Sequence, residues 1–124
     1  MREIKYRAWE HDRKIICYGY ETYISDAEQN KYPLMQFTGL LDKNGKEIFE
    51  GDIIQFRYND KCEELGYETV NAVVEFERGM FVCKEIGFDY EGKKELPMSL
   101  YEFMQGEEIT IVGNIFENSE LLKP

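Results

Sequence analysis

The sequence has few of the residues that form reactive or metal-binding centres. It contains one histidine, His11, and three cysteines, none of which lies in a C-x-x-C pair. Structural zinc needs four ligands, usually closely spaced in the chain, and a nucleophile needs its base within hydrogen-bond reach. His11 and Cys17 fit neither pattern. We therefore predict a turn histidine and reduced thiols, as in a cytoplasmic protein.

Motifs for nucleotide binding, hydrolysis and membrane insertion are missing as well. No P-loop, G-x-G-x-x-G or G-x-S-x-G pattern occurs. No apolar run approaches the ~18 residues of a membrane span, and the first residues carry alternating charge instead of the apolar stretch of a signal peptide. These absences predict a cytoplasmic protein that is not an enzyme and uses no catalytic residue, metal, cofactor or membrane.

Basic residues are scarce and unevenly placed. The chain has 15 bases and 25 acids, for a net charge of −10. Residues 1–20 hold five bases and three acids, a net charge of +2, so the other residues hold ten bases and 22 acids, a net charge of −12. Because an acidic protein repels phosphate at long range, duplex DNA and anionic membranes are disfavoured as partners.

One strand face is basic and aromatic. Alternation along Glu3–Trp9 places Lys5, Arg7 and Trp9 on the same side. Such a face could stack against a single nucleic-acid strand and neutralise its phosphates. The simpler interpretation is an exposed strand face on which Trp9 is half covered by a loop or by a neighbouring subunit.

The abundant residues predict a mainly β fold with one or two short helices. With 124 residues, 43% of them hydrophobic, the chain is expected to form a single domain, 1–124, with its own core. Nine tyrosines and eight phenylalanines favour strands. We predict an N-terminal part, 1–49, of strands and a hairpin, followed by a small barrel of the Src-homology-3 type, 50–118, with a short helix near 97–105.

Turn chemistry is densest in the middle of the chain. Asp42-Lys43-Asn44-Gly45 separates two strand-like runs, and Asn-Gly predicts a type I′ hairpin turn. Glu50-Gly51-Asp52 is a second break before another strand. A second hairpin is predicted at Arg78-Gly79, and loops are predicted over 59–68 and 87–95.

The acids of this central stretch could also form a metal-binding or catalytic site. Asp42, Glu47, Glu50 and Asp52 could bind a cation or act as a general acid and base. However, Lys43 lies among them, and the stretch lacks the D-x-[DN]-x-[DN]-G run of a calcium loop. We predict that these acids and the neighbouring glycines bend the chain.

Three segments of the sequence resemble the YopX family of phage and prophage proteins. They are REIKYRAWE near the start, MQFTGLLDKNGKEIFEGDII in the middle and IVGNIFENSELL near the end. The resemblance implies a barrel-like C-terminal part and a bacterial cytoplasm as the location, but it implies no activity. The motif positions, which we predict to be structural, are Gly39, Leu40, Asp42, Gly45, Gly51, Asp52, Gly113 and Asn114.

Aromatic residues near a predicted sheet edge suggest an interface. Tyr18, Tyr20 and Tyr23, together with Trp9, are candidates, because exposed strand edges pair with other chains and aromatics are enriched in interfaces. The sequence therefore predicts a protein-binding module, with a homo-oligomer or another protein as partner. The alternatives are an acidic mimic of nucleic acid that blocks a basic site on a host protein, and an enzyme that uses the carboxylates between Asp42 and Asp52 with a metal.

Overall fold

Two antiparallel sheets and one short helix form the described part of the computed structural model, which comprises residues 5–18, 33–59, 67–87, 97–106 and 108–123. The mainly β prediction is confirmed, and the larger sheet curls into a half-barrel. The elements in chain order are β1 (Tyr6–Glu10), β2 (Ile15–Tyr18), β3 (Leu34–Leu41), β4 (Glu47–Phe49), β5 (Asp52–Asn59), β6 (Tyr67–Glu77), β7 (Met80–Glu85), β8 (Met98–Ser99), α1 (Leu100–Met104), β9 (Thr110–Asn114) and a 3₁₀ turn (Ser119–Leu122).

The first sheet has the strand order β2-β1-β3-β4, and the second sheet has the order β8-β7-β6-β5-β9. Every pairing is antiparallel. The first sheet therefore comes from residues before Glu50 and the second from residues after Gly51. The predicted loop over 59–68 is too long, because β5 runs to Asn59 and β6 begins at Tyr67; residues 60–66 lie outside the described part.

Both predicted hairpins form, but the turn type of the first differs from the prediction. Arg78 and Gly79 have φ values of 51° and 78°, as a type I′ turn requires. At the β3–β4 turn only Gly45 has positive φ, at 80°. The Gly45 N–H donates to the Asp42 carbonyl at 3.0 Å. This is the geometry of a type I turn followed by a glycine bulge, so the type I′ prediction for Asn44-Gly45 was wrong.

The helix forms where it was predicted, although it is shorter. Ser99 caps α1 by accepting from the Glu102 N–H at 3.5 Å. Leu100 is fully buried, and Phe103 and Met104 pack beside it against the second sheet. Pro97 does not lie in the first helical turn, because the two-residue strand β8 comes between Pro97 and α1.

Two hydrophobic clusters hold the sheets. The large cluster combines eight buried residues, with Ile54, Val74 and Leu100 among them. The small cluster combines Trp9, Met35, Phe37 and Phe49. Successive side chains of a strand point to opposite faces, so β4 contributes a residue to each cluster. Its Ile48 belongs to the large cluster and its Phe49 to the small one.

Backbone hydrogen bonds join the two sheets at the break before β5. The Gly51 N–H donates to the Val74 carbonyl at 2.8 Å, and the Ile115 N–H donates to the Gly51 carbonyl at 2.9 Å. At the other end of β4, the Lys43 N–H donates to the Ile109 carbonyl at 3.0 Å. The central stretch is therefore the joint between the sheets.

Candidate functional site

Asp42 closes the turn between β3 and β4 and ties that turn to β9. Its Oδ1 accepts from the backbone N–H groups of Asn44 and Lys46, both at 2.9 Å, and its Oδ2 accepts from that of Ile111 at 3.1 Å. Burial raises the pKa of Asp42, but these three hydrogen bonds and the Lys46 charge outweigh it and lower the pKa below its ordinary value. Both oxygens are in use as structural acceptors.

Asp52 forms a buried ion pair with Arg7. Arg7 Nη2 donates to Asp52 Oδ1 at 2.7 Å and more weakly to the Glu50 carbonyl at 3.3 Å, while Asp52 Oδ2 accepts from the Phe49 N–H at 2.8 Å. The two side chains are 5% and 2% exposed. Burial raises the pKa of Asp52 above its ordinary value, against the opposing effect of the guanidinium. The pair links β1 of the first sheet to β5 of the second.

The other two acids of the central stretch also have partners. Glu50 Oε1 accepts from the Gln36 N–H at 3.0 Å, and burial raises the pKa of Glu50. Glu47 forms a half-exposed ion pair with Lys5. Each of the four carboxylates thus has its own separate partner. Across the described ranges, no group of three or more His, Cys, Asp and Glu side chains could hold a metal ion.

The glycines of the central stretch adopt backbone conformations that other residues rarely adopt. Gly51 has a φ of 83°, and a Cβ at this position would lie 3.1 Å from Met35 Sδ. Gly39 also has positive φ, at 86°. Leu40 is half-buried and packs against the large cluster. These positions shape the joint, and none of them contributes a reactive group.

Gly113 and Asn114 organise the turn that follows β9. A Cβ on Gly113 would lie 2.4 Å from Asn118 Oδ1, so only glycine fits this approach. The same Asn118 oxygen accepts from the Asn114 N–H at 3.1 Å. Asn114 Oδ1 accepts from the N–H groups of Phe116 and Glu117 at 3.0 and 2.9 Å. The asparagines stand in for backbone acceptors in this tight turn.

His11 and Cys17 do not meet. His11 Nδ1 accepts from Trp9 Nε1 at 3.0 Å, while the Cys17 thiol lies 3.7 Å from Glu10 Oε2. Cys83 is buried beside β8, and burial raises its pKa to about 11, so it remains a thiol at neutral pH. These groups form no nucleophile–base pair.

The basic and aromatic face of β1 points inward, which corrects the expectation of an exposed face. Arg7 and Trp9 are 4% and 7% exposed. Arg7 lies over the Phe49 ring, and Trp9 stacks on Phe116 with 5.3 Å between ring centroids. Arg7 is paired with Asp52 and Trp9 packs in the small cluster, so both side chains lie inside the fold, whereas Lys5 is half-exposed beside Glu47.

The predicted tyrosine interface is described only at Tyr18. This side chain is 57% exposed, with its ring edge against Phe49 at a centroid distance of 5.8 Å. Ile15, at the other end of β2, is 39% exposed. Tyr20 and Tyr23 lie outside the described residues. The interface prediction for these positions therefore stays a prediction.

A cleft of about 580 Å³ lies between the first sheet and β9. Arg7, Tyr18 and Phe49 form one wall, and Ile111–Asn114 form the other. The volume is typical of ligand sites, roughly 300–1,000 Å³. However, the charged groups of its lining are largely used within the chain. The outer edge of β9 also makes hydrogen bonds within the chain. The Ile109 carbonyl accepts from Lys43, the Ile111 N–H donates to Asp42, and the Asn114 N–H donates to Asn118. This edge therefore has few backbone groups left for an added strand.

Comparison with known proteins identifies the family. The family described as YopX protein matches residues 17–123. The chain belongs to the YopX family. The match covers the central and closing motifs, whereas the opening segment REIKYRAWE lies before it. A search of curated proteins found no match.

A solved structure shares the fold of this YopX-family chain. It is the crystal structure of protein EF1440 from Enterococcus faecalis, with a TM-score of 0.60 and 24% identity over 99% of this chain and 100% of that one. At this identity the likeness concerns the fold alone. No helix in the described part of the chain has the length and apolar character that crossing a membrane requires.

Proposed function

We propose that this YopX-family chain is a non-enzymatic, cytoplasmic accessory protein of a phage or prophage and that it acts by binding protein, including a second copy of itself. The resemblance of its motifs to that family supports the phage origin. The observation that carries the binding function is β2, which lies at the edge of the first sheet among the described strands and has exposed apolar side chains at both ends, Ile15 and Tyr18. Exposed strand edges are templates for pairing with another chain.

The state of the carboxylates supports a non-enzymatic role. A general acid or base needs a free oxygen directed at a substrate. Asp42 has both oxygens bonded to backbone N–H groups, and Asp52 is 2% exposed beneath Arg7. Acids held in this way support the joint between the sheets.

Light scattering with size exclusion at tens of micromolar tests self-association. We expect a mass above the 14.7 kDa of one chain. Tyr18→Ser should shift the mass towards the monomer, whereas Tyr101→Ser should not, because Tyr101 is equally exposed, at 61%, but lies on α1. A strict monomer over this range would contradict self-association.

The second candidate function is mimicry of nucleic acid, which the charge favours. Residues 21–124 have a net charge of −12, as counted above. An acidic surface can occupy a basic site on a host protein. Capture from host lysate in a salt series separates the two candidates, because charge-driven binding is screened by salt whereas apolar strand pairing persists.

A further inference from the structure

We propose that β2 of one chain pairs antiparallel with β2 of a second copy and so joins two first sheets into one continuous sheet. This inference rests on the proposed function, since it names the surface and the partner of self-association. The argument comes from the direction of the backbone groups, the register and the charge.

The backbone groups of β1 alternate between its two neighbours. The Trp9 N–H donates to the Pro33 carbonyl at 3.1 Å, and the Lys5 carbonyl accepts from the Phe37 N–H at 2.8 Å. Odd-numbered residues of β1 therefore bond towards β3. Its even-numbered residues bond towards β2, because N–H and C=O directions alternate along a strand.

The same alternation fixes which backbone groups of β2 face β1 and which face the edge. Ile15 and Cys17 lie opposite the even-numbered residues of β1 and bond to it. The N–H and C=O groups of Ile16 and Tyr18 then point away from β1, towards the edge. In the described ranges β2 pairs with β1 alone. These two residues, spaced i and i+2, present the pattern that an added antiparallel strand requires.

One register uses this edge fully. If Ile16 faces Tyr18 of the second copy, the twofold axis repeats the pair, and each pair exchanges both of its N–H···O bonds. Shifting the strands so that Ile16 faces its own copy would place Lys14 opposite Tyr18. Lys14 has a φ of 54°, which is not an extended conformation. The favoured register therefore places Cys17 opposite Cys17 of the second copy.

Side chains and charge suit a second copy of the chain. Tyr18 would pack on Ile16 of the second copy as an aromatic and β-branched cross-strand pair. The sequence of β2, IICY, carries no charge. Residues 1–20 have a net charge of +2 and the rest −12, so this end is where two acidic chains can approach with least repulsion.

Disulfide trapping tests the register. A non-hydrogen-bonded pair brings the two Cα atoms to about 4.5 Å, within the ~4.4–6.8 Å that a disulfide spans. We would oxidise the Cys62→Ser chain with copper phenanthroline, which takes two electrons from the two thiols, while the two protons pass to solvent. We expect a non-reducing band at twice the 14.7 kDa mass, absent when Cys17→Ser is added. Cys83 is buried and should not contribute.

A matched pair of variants separates strand pairing from random collision. Tyr18→Ala and Tyr18→Pro both remove the ring, but only proline also removes the outward N–H. Proline is tolerated on an edge strand when that N–H faces solvent, so both monomers should keep similar urea midpoints. The substitution is present in both copies, so the proline variant loses two hydrogen bonds of the proposed pairing. We therefore expect trapping to fall roughly fivefold or more from the alanine to the proline variant.

The outcomes distinguish this inference from the proposed function. Oligomers by light scattering without a Cys17 disulfide would overturn the β2 register and leave protein binding in place. Equal trapping of the alanine and proline variants would also overturn it, because the disulfide would then form by collision. Capture of an unrelated protein by β2, with no trapping between copies, would overturn the second copy as partner but support the proposed binding function.

Discussion

The second sheet and the first sheet are stabilised by different means. The second encloses a large cluster of eight buried residues, all apolar, including Ile54, Val74 and Leu100. The first contributes to a cluster of four, and its inner face includes the buried charge of Arg7. At roughly 25 cal/mol per Å² of apolar area buried, the second sheet gains far more from burial than the first.

This difference indicates how the first sheet stays attached to the second. A small cluster leaves it dependent on polar contacts with the second sheet: the Arg7–Asp52 pair, the Asp42 bond to Ile111 of β9, and the backbone bonds at Gly51. Buried polar groups are costly to leave unpaired. Substitutions at the joint should therefore cost as much as substitutions in the large cluster.

The largest expected effect is at the ion pair. Asp52→Ala should lower the free energy of unfolding by about 3–5 kcal/mol, because it leaves the Arg7 guanidinium and the Phe49 N–H buried without the acceptor oxygens that Asp52 provides even when protonated. The control is Glu47→Ala, which removes a half-exposed pair with Lys5 worth about 0–1 kcal/mol. Urea unfolding measures both. Equal small losses would show that the joint does not depend on the buried pair.

The next largest effect tests the large cluster. Leu100 is fully buried, and Leu100→Ala should cost about 2–5 kcal/mol through lost burial and the cavity left behind. Leu122, 38% exposed in the 3₁₀ turn, is the matched control and should cost about 1 kcal/mol or less. If the Leu100 variant lost no more than its control, the contrast between the two clusters would be wrong.

A smaller effect is expected at the close approach after β9. Gly113→Ala places a Cβ 2.4 Å from Asn118 Oδ1 and should cost about 1–3 kcal/mol by overpacking. Gly106→Ala is the control, since nothing lies within 4 Å of its built Cβ, and it should change stability by about 0.5 kcal/mol or less. Unfolding midpoints that move together would contradict a specific role for Gly113.

The smallest effect is a pH dependence of opposite sign at the two structural aspartates. The pKa of Asp42 is lowered on folding, so its ionised form contributes stability at neutral pH that is lost as pH falls through the folded pKa. The pKa of Asp52 is raised, so its contribution is larger below its unfolded pKa and falls as pH rises through the folded pKa.

Asp42→Asn and Asp52→Asn separate these contributions. From neutral pH to pH 3, the stability advantage of the natural chain over Asp42→Asn should shrink, while its stability relative to Asp52→Asn should rise. Urea titrations at several pH values measure both differences. If both stability differences changed in the same direction with pH, the opposite pKa shifts of Asp42 and Asp52 would be contradicted.

Local chemistry predicted most of the secondary structure. The turn residues at Asp42–Gly45, Glu50–Asp52 and Arg78-Gly79 located the breaks between strands, and the helix lies within the predicted segment 97–105. The turn type at Asn44-Gly45 was missed because the Asp42 carboxylate binds two N–H groups of the turn and so favours the type I turn with a glycine bulge. The Asp-x-x-Gly spacing was the available signal.

Long-range partners could not be predicted in the same way. Arg7 and Asp52 are 45 residues apart, and nothing in either segment specifies the other. The inward direction of the β1 face was missed because its basic residues suggested solvent. Ala8 and Trp9 are both buried, so β1 is covered on both faces, and alternation alone cannot show which face carries the buried charge.

Native-state amide exchange tests the central claim most directly, namely that the bends around residues 42–52 make the two sheets one cooperative unit. The amides of Lys43, Gly51, Ile111 and Ile115 carry the bonds of the joint. We predict that they open with free energies within about 1 kcal/mol of the slowest amides of β5 and β6. Exchange at these amides through a local opening of much lower free energy, with β5 and β6 still protected, would contradict the account.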